Sequence, residues 1–220
     1  IEIDADQNPD FSPIDLFLRL NTKPYPIKEN TFEMWNAYID KDIVIKVKEI
    51  ATAYERKVFR AKDTRMKLEE LITSLAYIDY KMSQPDAELM NVLNVYKRNN
   101  RMCARIMSKD NVTRTLSDLS NHNPKIFIKS LENVETFVRK ILILIDDNSD
   151  QMRALFNHSR KGVQYKTDQN FYFLWVMLFK ISIDKIRSRK KEEFERISKI
   201  FSLIQKTPID YTPEIFLKEL

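Results

Sequence analysis

The sequence predicts an all-α protein: a multi-helix bundle, preceded by a short N-terminal strand left over from a neighbouring α/β domain. Three observations carry this prediction. Glycine occurs once in 220 residues, at Gly162, where ordinary composition gives about 15. Apolar residues recur at spacings of three and four through most of the chain, the period of a helix that buries one face. Proline follows a residue able to cap a helix at Ser12-Pro13, Asn123-Pro124 and Thr212-Pro213, and proline is favoured at the first helical position.

Taken in order, Ile1-Glu2-Ile3-Asp4 reads as the end of a strand, with no signal-peptide pattern. No convincing partner strand follows it, so the chain reads as part of a longer protein. Helices are expected at about 13–20 and 31–38, the second with Asn30 and Glu33 in the capping-box relation. The stripe Ile43, Val47, Ile50, Tyr54 and Val58 predicts a helix over 41–60, and Leu68, Leu71, Leu75, Ile78 and Met82 predict one over 64–82. Gln84-Pro85, with Asp86 and Glu88, marks the start of a helix over 86–107. A helix over 111–120 precedes the longest stripe, Phe127, Leu131, Val134, Val138, Ile141 and Ile145, which sets a helix over 124–146. Segments 149–157, 169–186, 189–205 and 213–220 complete the series. The run Phe171–Phe179 is apolar all round and reads as the central helix, far short of the ~20 residues that cross a bilayer. More than two-thirds of the residues are expected to be helical, with Trp175, Leu178, Val138 and Leu142 in the core. Short connections, except at 158–168, imply antiparallel neighbours. The expected organisation is an N-terminal edge over 1–38 and a helical bundle over 39–220.

Composition narrows the chemistry. With Gly162 alone, the chain holds no glycine-rich phosphate loop. A single cysteine, Cys103, excludes an internal disulfide and Cys-based zinc sites, and His122 and His158 match no zinc-protease spacing. This usage fits a cytoplasmic protein. Net charge is +5, with 18 basic and 18 acidic residues in 1–110 and 19 against 14 in 111–220. A pI near 9.1 permits a nucleic-acid partner without demanding one.

The most distinctive stretch is Phe17-Leu18-Arg19-Leu20-Asn21-Thr22, then Pro26-Ile27, Asn30, Phe32 and Glu33. It resembles the corresponding stretch of GmrSD-type proteins, which carry a ParB- and sulfiredoxin-like N-terminal domain with an Asp-Gly-Gln-Gln-Arg motif. Those proteins act in bacterial restriction of modified or foreign DNA and in phage defence, some with nucleoside-triphosphatase activity and many with an HNH nuclease domain. The resemblance covers roughly residues 10–40. It implies that 1–38 is the C-terminal edge of a ParB-like core domain, with Arg19, Asn21 and Thr22 near a site built by an absent upstream motif. It further implies that the bundle supports a nuclease or triphosphatase core, with magnesium or a nucleoside triphosphate bound in the full-length protein and no cofactor in this chain. On its own chemistry, Arg19 either clamps a phosphate or pairs with Asp15 one helical turn away.

Four basic clusters bear on DNA as a partner: 56–67, 97–109, 153–166 and 185–191. On the expected helix, Lys97, Arg101 and Arg105 recur every four residues as a ridge, with Arg98 beside it and Asn94, Asn99 and Asn100 nearby. The loop 158–168 combines Arg160, Lys161 and Lys166 with Tyr165, an aromatic able to stack. Together these predict five or six phosphate contacts. Otherwise the clusters are solvated faces, and the chain is a helical protein–protein interaction module with no nucleic-acid role. The upstream core and a second copy of the chain are the other expected partners; a membrane is not. Asn121-His122-Asn123 joins two helices and lacks the surroundings of an HNH site. His158 reads as a loop histidine. Asp146, Asp147 and Asp150 read as capping groups for the next helix rather than magnesium ligands. No catalytic residue is evident, and the isolated chain is expected to hydrolyse neither DNA nor nucleoside triphosphates.

Overall fold

The structure, a computed structural model, describes residues 39–60, 67–158 and 164–220, together with Ser12 and Ile14. Its elements run in the order α1 (Lys41–Tyr54), α2 (Lys67–Met82), a 3-10 turn (Leu89–Asn91), β1 (Leu93–Arg98), β2 (Arg101–Ile106), α3 (Lys109–His122) and α4 (Pro124–Leu144). Then follow α5 (Gln151–Leu155), α6 (Asp168–Leu178), α7 (Ile183–Ser188), α8 (Lys190–Gln205) and α9 (Pro213–Glu219). Helix makes up 66% of the described residues, so the protein is a mostly-α bundle. The expected strand at Ile1–Asp4, most of the helix at 13–20 and the helix at 31–38 lie outside the described residues.

Helix α4 forms on the longest apolar stripe and packs against α1, α2, α3, α7 and α8. It buries Phe127, Leu131, Val134, Val138 and Ile141. Pro124 takes the first helical turn, although the Asn123 side chain makes no capping bond. Thr212 does cap α9, its hydroxyl accepting from Ile215 N at 3.3 Å. Helix α6 is apolar on nearly every side and buries Phe171, Phe173, Leu174, Trp175 and Leu178. Of the four residues expected in the core, Trp175, Leu178 and Val138 are buried, and Leu142 is half-buried against it. Buried apolar residues from Ile43 to Phe216 form one cluster. No helix of the described residues is long and apolar enough to cross a membrane.

Three expected helices are corrected. The segment 86–107 is a 3-10 turn followed by an antiparallel hairpin, with Leu93 opposite Ile106 and Arg98 opposite Arg101. Its turn is Asn99-Asn100, with φ of 50° and 56°, the two positive angles that a two-residue type I′ turn requires. On either side of that turn, Leu93, Val95, Met102, Ala104 and Ile106 alternate inward at the period of a strand. A second missed stop divides 169–186: α6 ends at Leu178, and Ser182 caps α7 by accepting from Lys185 N at 3.2 Å. Third, α1 ends at Tyr54, because Arg56 turns the chain with φ 63°.

Among the described residues, positive φ falls on Arg56, Asp86, Asn99, Asn100, Asp146, Asp147 and Asn157. All but Arg56 are Asn or Asp, which tolerate the left-handed region best after glycine. The expected capping bond from 146–150 is not made: Asp150 holds the N-cap position of α5 without a side-chain bond, and Asn148 Oδ1 accepts from Asp150 N at 3.0 Å instead. The hairpin turn yields a direct test. Asn99→Val forces a β-branched residue into φ of 50° and is expected to cost about 1–2 kcal/mol, read as a lower urea midpoint. Asn99→Gly should cost nothing.

Candidate nucleic-acid interface

The hairpin rests one face on α6 and α8, mainly through β2. The tip is clamped from the far end of the chain: Thr207 N donates to Asn100 O at 2.8 Å. Among the described residues the other face is left open. By register it carries Asn94 opposite Arg105, Tyr96 opposite Cys103 and Arg98 opposite Arg101.

This face is positive. All three arginines are exposed, and no acidic residue lies between Glu88 and Asp110. Among the described residues none of the three pairs with a carboxylate. Arg98 and Arg101 stand directly across the ladder, a like-charge pairing that destabilises a sheet unless an anion relieves it. The Arg105 guanidinium lies over the Tyr96 ring at 5.5 Å from its centroid, a cation–π contact that holds the side chain across the face. Cys103 is a half-buried free thiol in the same row.

The seven basic residues expected to bind nucleic acid therefore separate. Arg98, Arg101 and Arg105 come together, but on a ribbon, not on a helix. Lys97 leaves the group: it sits on the opposite face of its strand, and its Nζ donates to the Pro208 carbonyl and to Ile209 O at 2.7 Å. Lys166 also leaves. It is 8% exposed, and its Nζ donates to the carbonyls of Arg56, Lys57 and Phe59 at 3.0, 3.2 and 3.1 Å. This ammonium ties 164–167 to the end of α1, and burial pushes its pKa down. Arg160 and Lys161 lie outside the described residues, as do Arg19, Asn21 and Thr22. Tyr165, expected to stack on a base, packs inward against Phe156 at 6.0 Å and beneath Arg153 at 4.7 Å.

The remaining candidates resolve into local structure. His122 ends α3 with Nδ1 at 3.1 Å from Asp118 Oδ1. Asp146 pairs with Lys190, and Asp184 with Arg187 at 3.6 Å, so part of the 185–191 cluster is neutralised. Tyr96 was the residue that sequence reasoning missed, and its signal was present: alternation on both sides of Asn99-Asn100.

Fold and face together define a mostly-α domain that presents a basic two-stranded ribbon. No protein-family model, curated protein or solved structure matches the chain.

Proposed function

We propose that this chain is a DNA-contacting helical region of a restriction or phage-defence protein, with the arginine face of the hairpin as its contact surface. The observation that carries the DNA reading is the Arg98–Arg101 couple, without a carboxylate partner among the described residues, with Arg105 fixed beside it on Tyr96. Arginine offers a planar fork suited to phosphate oxygens and guanine edges, and the DNA major groove admits a two-stranded ribbon. The restriction context rests on the resemblance of Phe17–Thr22 and its flanks to GmrSD-type proteins. On that reading, a ParB-like core upstream supplies the nuclease or triphosphatase chemistry, with its magnesium or nucleotide, in the bacterial cytoplasm.

A salt titration with duplex DNA tests the reading. Three phosphate contacts give a slope of about −2.7 in log K against log salt, or roughly a 40-fold loss between 50 and 200 mM. This counts the ribbon alone and is less than the five or six contacts expected from sequence, because Lys97 and Lys166 are bonded to carbonyls and Arg160 and Lys161 lie outside the described residues. Replacing Arg98, Arg101 and Arg105 by alanine should bring the slope close to zero, while Lys190→Ala with Lys191→Ala should leave it unchanged. A triple variant with the parent slope removes the ribbon from the interface. Absence of binding at 50 mM salt favours the protein–protein interaction module instead.

A further inference from the structure

A cleft of about 300 Å³ opens where the C-terminal ends of α2 and α6 meet the middle of α4. It plays no part in the DNA reading. Opposite charges line it. Asp79, from α2, accepts from Asn133 Nδ2 at 2.9 Å and from Ser130. Lys140, from α4, is 7% exposed, and its Nζ donates to Leu178 O at 2.9 Å and Phe179 O at 3.4 Å.

Each charge keeps capacity beyond these bonds. Two of the three ammonium protons cap the end of α6, which leaves one, and a carboxylate accepts at about four sites. Asp79 and Lys140 feel each other's field but form no ion pair within 4.0 Å. Burial pushes the Asp79 carboxyl up and the Lys140 ammonium down, so each charge is incompletely compensated where it stands. The remaining wall is mixed, with Met82, Phe137 and Phe179 as its apolar part and Ser83 and Thr136 as its polar part. One face of Phe179 is covered by Trp175, stacked at 4.5 Å and 11°, and Lys180 Nζ stands 5.3 Å from the ring centroid. A ligand therefore meets the ring at its edge. Two opposite charges beside an apolar patch, in a volume of this size, give a small molecule both a polar and an apolar hold.

We propose that this cleft binds a zwitterionic α-amino acid with a large apolar side chain, its ammonium on Asp79, its carboxylate on Lys140 and its side chain against Met82, Phe137 and Phe179. A zwitterion satisfies both charges at once without adding net charge. A simple acid or a simple amine satisfies one and leaves the other uncompensated.

Calorimetric titration of the full chain with four probes decides it: L-phenylalanine, L-leucine, 3-phenylpropionate, which lacks the ammonium, and phenethylamine, which lacks the carboxylate. At least one of the two amino acids should bind with Kd below about 1 mM, and each one-charge analogue should bind at least about tenfold more weakly than phenylalanine. Asp79→Asn should remove the preference for phenylalanine over 3-phenylpropionate, and Lys140→Met the preference over phenethylamine. No heat from either amino acid at about 1 mM, or equal affinity for a one-charge analogue, overturns the proposal on the unmodified protein alone.

Discussion

Phe156→Ala is expected to cost about 3–5 kcal/mol of unfolding free energy, the range for truncating a fully buried aromatic. Phe156 is 0% exposed and joins three parts of the bundle. Its ring meets Phe201 of α8 edge-on at 4.8 Å, Phe171 of α6 edge-on at 5.9 Å, and Tyr165 at 6.0 Å. Such pairs add about 0.5–1.5 kcal/mol each beyond area burial. The residue follows α5, a helix of five residues that is far too short to persist on propensity. What fixes α5 is packing by its fully buried Met152 and Leu155 together with this ring, with Gln205 Nε2 donating to Phe156 O at 2.8 Å. Urea unfolding gives the value directly, and Phe156→Leu should recover more than half of it. A loss below about 1 kcal/mol for the alanine variant removes Phe156 from its place as a packing hub.

Lys166→Met is expected to cost about 2–3 kcal/mol, because it keeps the length of the side chain but strands three carbonyl oxygens. One of them, Phe59 O, is bonded within the buried interior. A pH series separates this role from simple packing. Burial places the folded pKa of Lys166 below the ordinary 10.5. Between those two values the unfolded chain holds more protons than the folded one, so the contribution of Lys166 to stability grows as pH rises toward 10.5. The difference in stability between the native protein and Lys166→Met should therefore widen from neutral to alkaline pH. Lys140, whose pKa is also lowered by burial, is present in both proteins and cancels. A difference that stays flat across the series sinks this assignment.

Legibility in the sequence followed the strength of the local signal. Helices α4 and α8 were readable because stripes such as Phe127–Ile145 and Phe194–Ile204 run for several turns. The hairpin was misread because its basic and its apolar residues obey different periods. Lys97, Arg101 and Arg105 fit a helix, while Leu93, Val95, Met102, Ala104 and Ile106 fit a strand. Packing on α6 and α8 decided for the strand, and the Asn99-Asn100 turn with the alternation on either side of it was the local cue to that outcome. Three of the expected DNA-binding arginines consequently share a face, though a different face from the one expected. The fate of Lys166 was not readable at all. Its carbonyl partners lie 107 to 110 positions away, and a backbone acceptor leaves no signature in the side chains around it. The Asp79–Lys140 cleft likewise joins α2, α4 and α6, and no spacing within one segment announces it.

The clamp at the hairpin tip has a consequence in time. The turn itself is local and can close in about 1–10 μs. Its anchors, Thr207 N on Asn100 O and the Pro208 and Ile209 carbonyls on Lys97, lie more than a hundred positions downstream. Chains are synthesised at about 5–20 residues per second, so the ribbon waits roughly 5 to 20 seconds before those anchors exist. The apolar side, Val95 and Met102 included, gains its supports earlier, when α6 at Asp168–Leu178 and then α8 at Lys190–Gln205 are made. A nascent chain stalled before residue 168 thus presents the hairpin with its underside bare, and one stalled between 206 and the anchors presents it seated but unclamped at the tip.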